Sequence, residues 1–344
     1  MIHKRKHHKC IPLKLRVVTY VVDGKKIRIK GEYIPIKTEL LHTDVIQDIV
    51  EIALYTNWVS NECVVSLLLY ADFESGKTEI QKKYYNNRGV TNRRRFSATG
   101  IKDSLLKGRI LINSENKAGH ILIPDMSNIF TYKPSTSKKN MLFIDAFTEE
   151  GLDPEDDYFN KPEEGAKISG VRGGIIAGIN PAGFLSSTKK KIKQEFIEGG
   201  GMSRFIPVSW EDSRYNKEIS DSITAGMYRK GRGFVKNIQF TFPDDPIDIV
   251  LPKSIAKKIQ ILAERITEDL NEDFLKHGIP AQMKGRRLQK RLVSLVKAVA
   301  LREGRRVVFS RDFARIECLS RWMNLKRHQL PREYPKSFTG RSNA

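Results

Sequence analysis

The chain has 344 residues, with 61 Lys and Arg against 40 Asp and Glu, a formal charge of +21 and a mean hydropathy of −0.43. That length holds at least one large core, suits two domains better than one, and excludes a small stapled scaffold. The positive excess points to a polyanionic partner, nucleic acid first, because no basic stretch carries the bulky apolar face of a helix lying on a membrane.

The first residues, Met1-Ile2-His3-Lys4-Arg5-Lys6-His7-His8, lack the apolar stretch of a signal peptide and read as a solvated basic tail. His3, His7, His8 and Cys10 belong to that tail rather than to a metal site. No apolar run is long enough to cross a bilayer, so no membrane partner is expected. Cys10, Cys63 and Cys318 are scattered and odd in number, which fits a reducing compartment, and the expected location is cytoplasmic. Two alternating runs, Leu13 to Val18 and Lys26 to Lys30, flank Asp23-Gly24 and predict a hairpin that completes a region of residues 1–42. Residues 43–57 then repeat apolar side chains at Val45, Ile46, Ile49, Val50 and Leu54, which predicts a helix opening a core of residues 43–245.

The apolar run Val64 to Tyr70 breaks into Ala71-Asp72-Phe73-Glu74-Ser75-Gly76-Lys77-Thr78. A buried strand that turns through Ser-Gly-Lys-Thr into a helix is the phosphate-cradling loop of nucleotide triphosphatases. Gly76 lets the backbone approach phosphate oxygens, Lys77 reaches the outer phosphates, and the Thr78 hydroxyl suits Mg²⁺. Ser75, Gly76, Lys77, Thr78 and Glu79 are the candidate ATP-binding set. Two features depart from the pattern: Ala71 stands where the first glycine is usual, and Asp72 and Glu74 put acid beside a polyanion.

Farther along, a helix is expected from about Thr99-Gly100 through Leu106, and the run His120 to Ile123 predicts a buried strand ending at Asp125. Residues 148–170 are acidic and rich in turn residues, and read as a loop or hairpin insertion. Gly174 to Ile179 predicts another buried strand, ending at Asn180-Pro181. Strands alternating with helices imply parallel pairing, and Lys77, Asp125 and Asn180 then share the carboxyl edge, where such sheets bind ligands. The turn Pro243-Asp244-Asp245-Pro246 divides this core from a helical region of residues 246–330, followed by a basic tail of residues 331–344. That region repeats apolar residues over Ile255 to Leu275 and Leu288 to Ala300, and a last helix is expected from Phe313 to Leu325.

Hydrolysis at such a loop needs a carboxylate to hold Mg²⁺, a polar group sensing the outer phosphate, and a cation for transition-state charge. Asp125, Asn180 and Arg204 supply these in order, with Thr78 and Asp125 as the metal pair. Ile175 to Pro181, the tripeptide Ser203-Arg204-Phe205, Ser97 to Ile101, and Arg287 to Ala300 resemble the minichromosome maintenance branch of AAA+ ATPases over roughly residues 45–320. The resemblance implies an α/β P-loop core with a carboxyl-terminal helical lid or winged-helix-like end, and ATP and Mg²⁺ as cofactors. It also implies a homo-oligomeric ring, hexameric by expectation, or a filament on DNA, with replication or mobile-element proteins as further candidate partners. By that resemblance Arg204 acts on the neighbouring subunit's phosphate and Arg287 is a second sensor, with Arg286 its rival.

The family usually places Glu directly after the Mg²⁺ aspartate, whereas Asp125 is followed by Met126. General-base help of that kind contributes about 10² to 10⁴ in rate, so its loss turns a fast motor into a slow switch. Asp145, after Leu142-Phe143-Ile144, is a rival for the carboxylate, and Glu149, Glu150 or a residue from a neighbour are candidates for activating water. Arg94, Lys190, Lys191, Arg232, Arg315 and Arg321 are the candidate nucleic-acid contacts. No finger or stacking motif accompanies them, which predicts binding to DNA without sequence choice.

Overall fold

The structure, a computed structural model, describes residues 16–22, 25–31, 43–73, 75–108, 110–112, 117–130, 133–153, 155, 166–185, 196, 200–211, 238–240, 242–276, 278 and 283–330. The alternating runs at the start form β1 (Arg16–Val22) and β2 (Lys25–Gly31), paired antiparallel from Arg16 opposite Gly31 to Val22 opposite Lys25.

The core is a parallel sheet flanked by helices. Its strands are β3 (Leu67–Tyr70), β4 (Val90–Asn92), β5 (Leu111–Ile112), β6 (Lys117–Ile123), β7 (Arg172–Ile179), β8 (Ile206–Glu211) and β9 (His328–Gln329), in the order β4-β6-β7-β3-β8-β9. β5 alone runs antiparallel, against the start of β6. Every residue of β3 and β6 is buried, which is why β3 and the second half of β6 read as continuous apolar runs rather than alternating ones. The crossover from β3 leaves toward β4 on one side, and the chain leaving β8 goes to β9 on the other. The carboxyl end of β3 therefore faces a point where connections diverge, which in such sheets opens a crevice.

Around the sheet lie α1 (Asp44–Tyr55), α2 (Lys77–Lys82), α3 (Ala98–Leu106), α4 (Pro134–Asp145), which runs on as a π-helical turn over Ala146–Glu150, and α5 (Pro181–Leu185). Asp145 thus closes a helix, not a strand, which removes it as the rival carboxylate. The segment after residue 238 crosses α1: Phe240 and Phe242 meet Tyr55, Phe242 stacks on Trp58, and Ile247 bridges to Val59.

Three helices follow, α6 (Lys253–Lys276), α7 (Gly285–Arg302) and α8 (Ser310–Leu319), packed together and, through α7, onto α1. Phe313, Ile316, Leu319 and Trp322 are buried there. α8 ends six residues before the expected Leu325, passing into a 3-10 turn at Ser320–Trp322. The Asn324 amide donates to the Arg321 carbonyl at 2.7 Å, taking an acceptor that a continuing helix would use. Among the described residues no helix is long and apolar enough to cross a membrane.

Candidate functional site

The backbone leaves Tyr70 at the carboxyl end of β3 and returns into α2 through Gly76, whose φ of 81° lies in the left-handed region that glycine adopts without a Cβ clash. Ser75 is buried, and Lys77, Thr78 and Glu79 are half-buried. The Lys77 ammonium folds back into its own loop, donating to the Ala71 carbonyl at 2.5 Å, to the Asp72 carbonyl, and to Ser75 Oγ at 3.3 Å. Burial lowers its pKa from the usual lysine value to about 8, against the pull of Asp72, Asp125 and Glu79. Among the described residues its hydrogen-bond partners are loop oxygens, which leave the burial of the cation without a bonded counter-charge.

Asp125 follows β6 and is exposed, with Oδ1 accepting from the Ser127 N–H at 2.9 Å. Asn180 follows β7 and is buried; its Oδ1 accepts from the Ala182 N–H at 2.8 Å and so caps α5. Its Nδ2 donor has no hydrogen-bond partner among the described residues. Such an orphan is costly inside a protein unless a water or a ligand oxygen accepts from it. Gly178 keeps these groups close, because a Cβ there would collide with the Pro124 carbonyl and lie 3.6 Å from Lys77 Cδ. Lys77, Asp125 and Asn180 thus stand at the carboxyl ends of β3, β6 and β7, as the spacing predicts, with β7 between the other two.

Arg204 lies elsewhere. It precedes β8, where Ile206 is level with Leu67, the first residue of β3, so it occupies the amino edge while the Lys77 loop occupies the carboxyl edge. Its side chain is 7% exposed and is ringed by acid: Nε meets Asp145 Oδ1 at 2.8 Å, one terminal nitrogen meets Glu149, and the other is 3.9 Å from Glu150. Arg287 joins the same cluster, with Nε 2.7 Å from Glu149 Oε1 and a terminal nitrogen 2.5 Å from Ser203 Oγ. Arg291, fully inside, donates to the Ser203 carbonyl, and burial brings its pKa down to about 10. Arg286 is exposed. Glu149 and Glu150 belong to this amino-edge cluster, so within one chain they do not serve water at Asp125.

Of the candidate nucleic-acid contacts, Arg94 is exposed just past the carboxyl end of β4, and Arg321 is exposed with its guanidinium 5.8 Å from the Trp322 ring. Arg315, expected to turn outward, does not: its Nε and Nη2 bond both oxygens of buried Asp48 at 2.9 and 2.7 Å, and its side chain is 13% exposed. The apolar face of α8 rotates Arg315 onto α1, and a fork bound to both carboxylate oxygens has little left to offer a phosphate. Lys190, Lys191 and Arg232 lie outside the described residues.

Three neighbours of the loop carry no motif. Trp210 on β8 donates its indole N–H to the Ser75 carbonyl at 3.3 Å, Gln81 reaches the Ile123 carbonyl at 3.2 Å, and Arg327 meets Asp72 Oδ2 at 2.8 Å. Their only signal is position in the fold.

No protein-family model and no curated protein matches the chain. Among solved structures, a full-length MCM homolog from Methanopyrus kandleri superposes with a TM-score of 0.45 at 14% identity, over 82% of this chain and 55% of that one. The chain therefore spans about half the length of that homolog, and at that score the likeness says nothing of function.

Proposed function

We propose that this chain is an ATPase of the AAA+ kind, similar to the minichromosome maintenance branch, that assembles with its own copies on DNA and couples ATP binding and hydrolysis to its grip on the strand. One observation carries the reading: a Ser-Gly-Lys-Thr turn, a carboxylate and an unsatisfied amide donor meet at the ends of three adjacent parallel strands. Lys77 would exchange its loop carbonyls for the outer phosphates, Thr78 and Asp125 would hold Mg²⁺, and Asn180 Nδ2 would donate to a phosphate oxygen. Mg²⁺ held by Thr78 and Asp125 would supply charge neutralisation at the phosphates.

Placement of Arg204 and Arg287 on the opposite edge favours action on a neighbour, because neither lies beside the loop of its own chain. To do so they would trade Asp145 and Glu149 for phosphate at a subunit junction. Arg94 and Arg321 remain outward cations for a nucleic-acid backbone, and Lys190, Lys191 and Arg232 stay candidates by sequence. A second reading, in which nucleotide is a slow switch governing assembly, is favoured by Met126: it is buried, and its N–H bonds the Gly178 carbonyl at 2.8 Å, so no carboxylate follows Asp125.

DNA-stimulated ATP hydrolysis by wild type and Lys77→Ala tests both. Turnover abolished by the substitution supports the motor, and nucleotide-dependent assembly with little turnover supports the switch. A folded wild-type chain that neither binds nor hydrolyses ATP ends both readings. Mixing Arg204→Ala with Lys77→Ala subunits should restore some turnover if the site is shared.

A further inference from the structure

The last described segment of the chain returns to the sheet beside the phosphate loop. His328 and Gln329 pair in parallel with Trp210 and Glu211, past the point where β8 lies level with the end of β3. Just before that strand the Arg327 N–H donates to Ser209 Oγ at 3.0 Å, and the Lys326 N–H donates to Asn324 Oδ1 at 2.9 Å. Arg327 itself has φ of 50°, a left-handed conformation uncommon for a long side chain. A non-glycine residue stays in that region only when its surroundings over-determine it, and such residues cluster at functional positions. Here the enforced backbone delivers a guanidinium to Asp72, the second residue of the loop.

The ion pair does not account for this arrangement by its own stability. Arg327 and Asp72 side chains are 42% and 55% exposed, and exposed pairs contribute little to folding. Asp72 also makes poor sense alone in a loop built for a polyanion. Its carboxylate repels phosphate, while its carbonyl holds the Lys77 ammonium. A fixed cation on that carboxylate resolves the conflict, and a guanidinium suits phosphate oxygens through its planar fork.

We propose that Arg327 is a nucleotide-binding residue of the same chain, a cation kept on Asp72 while the loop is empty and turned to the phosphates of Mg·ATP when it is filled. The inference rests on the nucleotide reading above and adds a residue from the far end of the sequence to it. β9 follows directly, so this turn lies between the loop and the strand that brings the helices back to the sheet.

Calorimetric titration of Mg·ATP into the full chain tests it with wild type, Arg327→Gln, Asp72→Asn and the double variant. Arg327→Gln should weaken binding about tenfold, the scale of one charge-assisted contact. Arg327→Gly, which relaxes the positive φ and guards against misfolding, should lose the same affinity while melting no lower. Asp72→Asn should tighten binding, and by more when Arg327 is present than when it is Gln, since release of the guanidinium adds to removal of a negative charge. Unchanged affinity in both Arg327 variants overturns the proposal, as does an equal gain from Asp72→Asn in either background. If folded wild type binds no Mg·ATP, the nucleotide reading falls first and Arg327 falls with it.

Discussion

The two edges of the parallel sheet differ in how their polar groups are satisfied. At the amino edge Arg204, Arg287 and Arg291 are matched to Asp145, Glu149 and the two oxygens of Ser203, so every guanidinium has a partner within the chain. At the carboxyl edge Lys77 leans on its own loop, Asn180 keeps a buried donor without a partner among the described residues, and Asp125 accepts from a neighbouring amide. A ligand or an ordered water is one partner for which a protein retains such a buried group against its cost. The contrast separates a fastening from a binding place, although both are built from charged residues at strand ends.

The largest expected effect breaks the fastening. Arg204→Leu strands Asp145 without a counter-charge and leaves Glu149 to Arg287 alone, and removing one partner of a largely buried pair costs about 3 to 5 kcal/mol. Thermal and urea unfolding would reveal it, and an unchanged melting temperature would mean the amino edge fastens nothing. The neighbouring interior is acid-sensitive through His120. His120 is fully buried with Nε2 2.8 Å from the Val65 carbonyl, and burial lowers its pKa to about 4. The unfolded chain then binds this proton first, so stability falls as pH drops from about 6.5 to 4, by about 3 kcal/mol in total. Urea midpoints measured across that window should shift in wild type and flatten in His120→Gln.

At the carboxyl edge the expected effects fall on binding rather than folding. Asn180→Asp keeps the oxygen that caps α5 but replaces the idle donor with a negative oxygen, so Mg·ATP affinity should drop about tenfold with little change in melting temperature. Equal losses in both measurements would make Asn180 a cap and nothing more. The smallest effect concerns protons. Lys77 loses its charge above about pH 8 in the empty loop, and a bound polyanion would draw its pKa back up. Binding should therefore take up a fraction of a proton between about pH 8 and 10.5 and weaken as pH rises through that range. Calorimetry in buffers of different ionisation enthalpy reads the uptake directly.

Much of the carboxyl edge was legible because its parts are local in sequence. β3, β6 and, after Arg172, β7 are uninterrupted buried runs, and each functional residue follows one of them closely. β8 was not legible, since Pro207 and Ser209 break up its apolar residues and Pro207 lacks the N–H that a sheet interior uses. β9 has two residues and no apolar pattern; it exists only because α6 to α8 return the chain to the sheet. Without β8 and β9 in view, Trp210 and Arg327 had no visible link to the loop. Arg315 failed for a related reason, because periodicity marks it as facing away from Phe313 and Ile316 but does not reveal that α1 presents Asp48 on that side. The pairing of Arg204 with residues 145–150 likewise depends on a π-helical turn, which carries no spacing signal of its own.

The indole of Trp210 gives this molecule a built-in optical reporter. It is fully enclosed, and its single donor is spent on the Ser75 carbonyl in the middle of the phosphate loop. Any rearrangement of that peptide must alter the polarity around the ring and hence the wavelength of its emission. With Trp58 and Trp322 replaced by phenylalanine, the remaining fluorophore would follow the loop in real time, with no label attached.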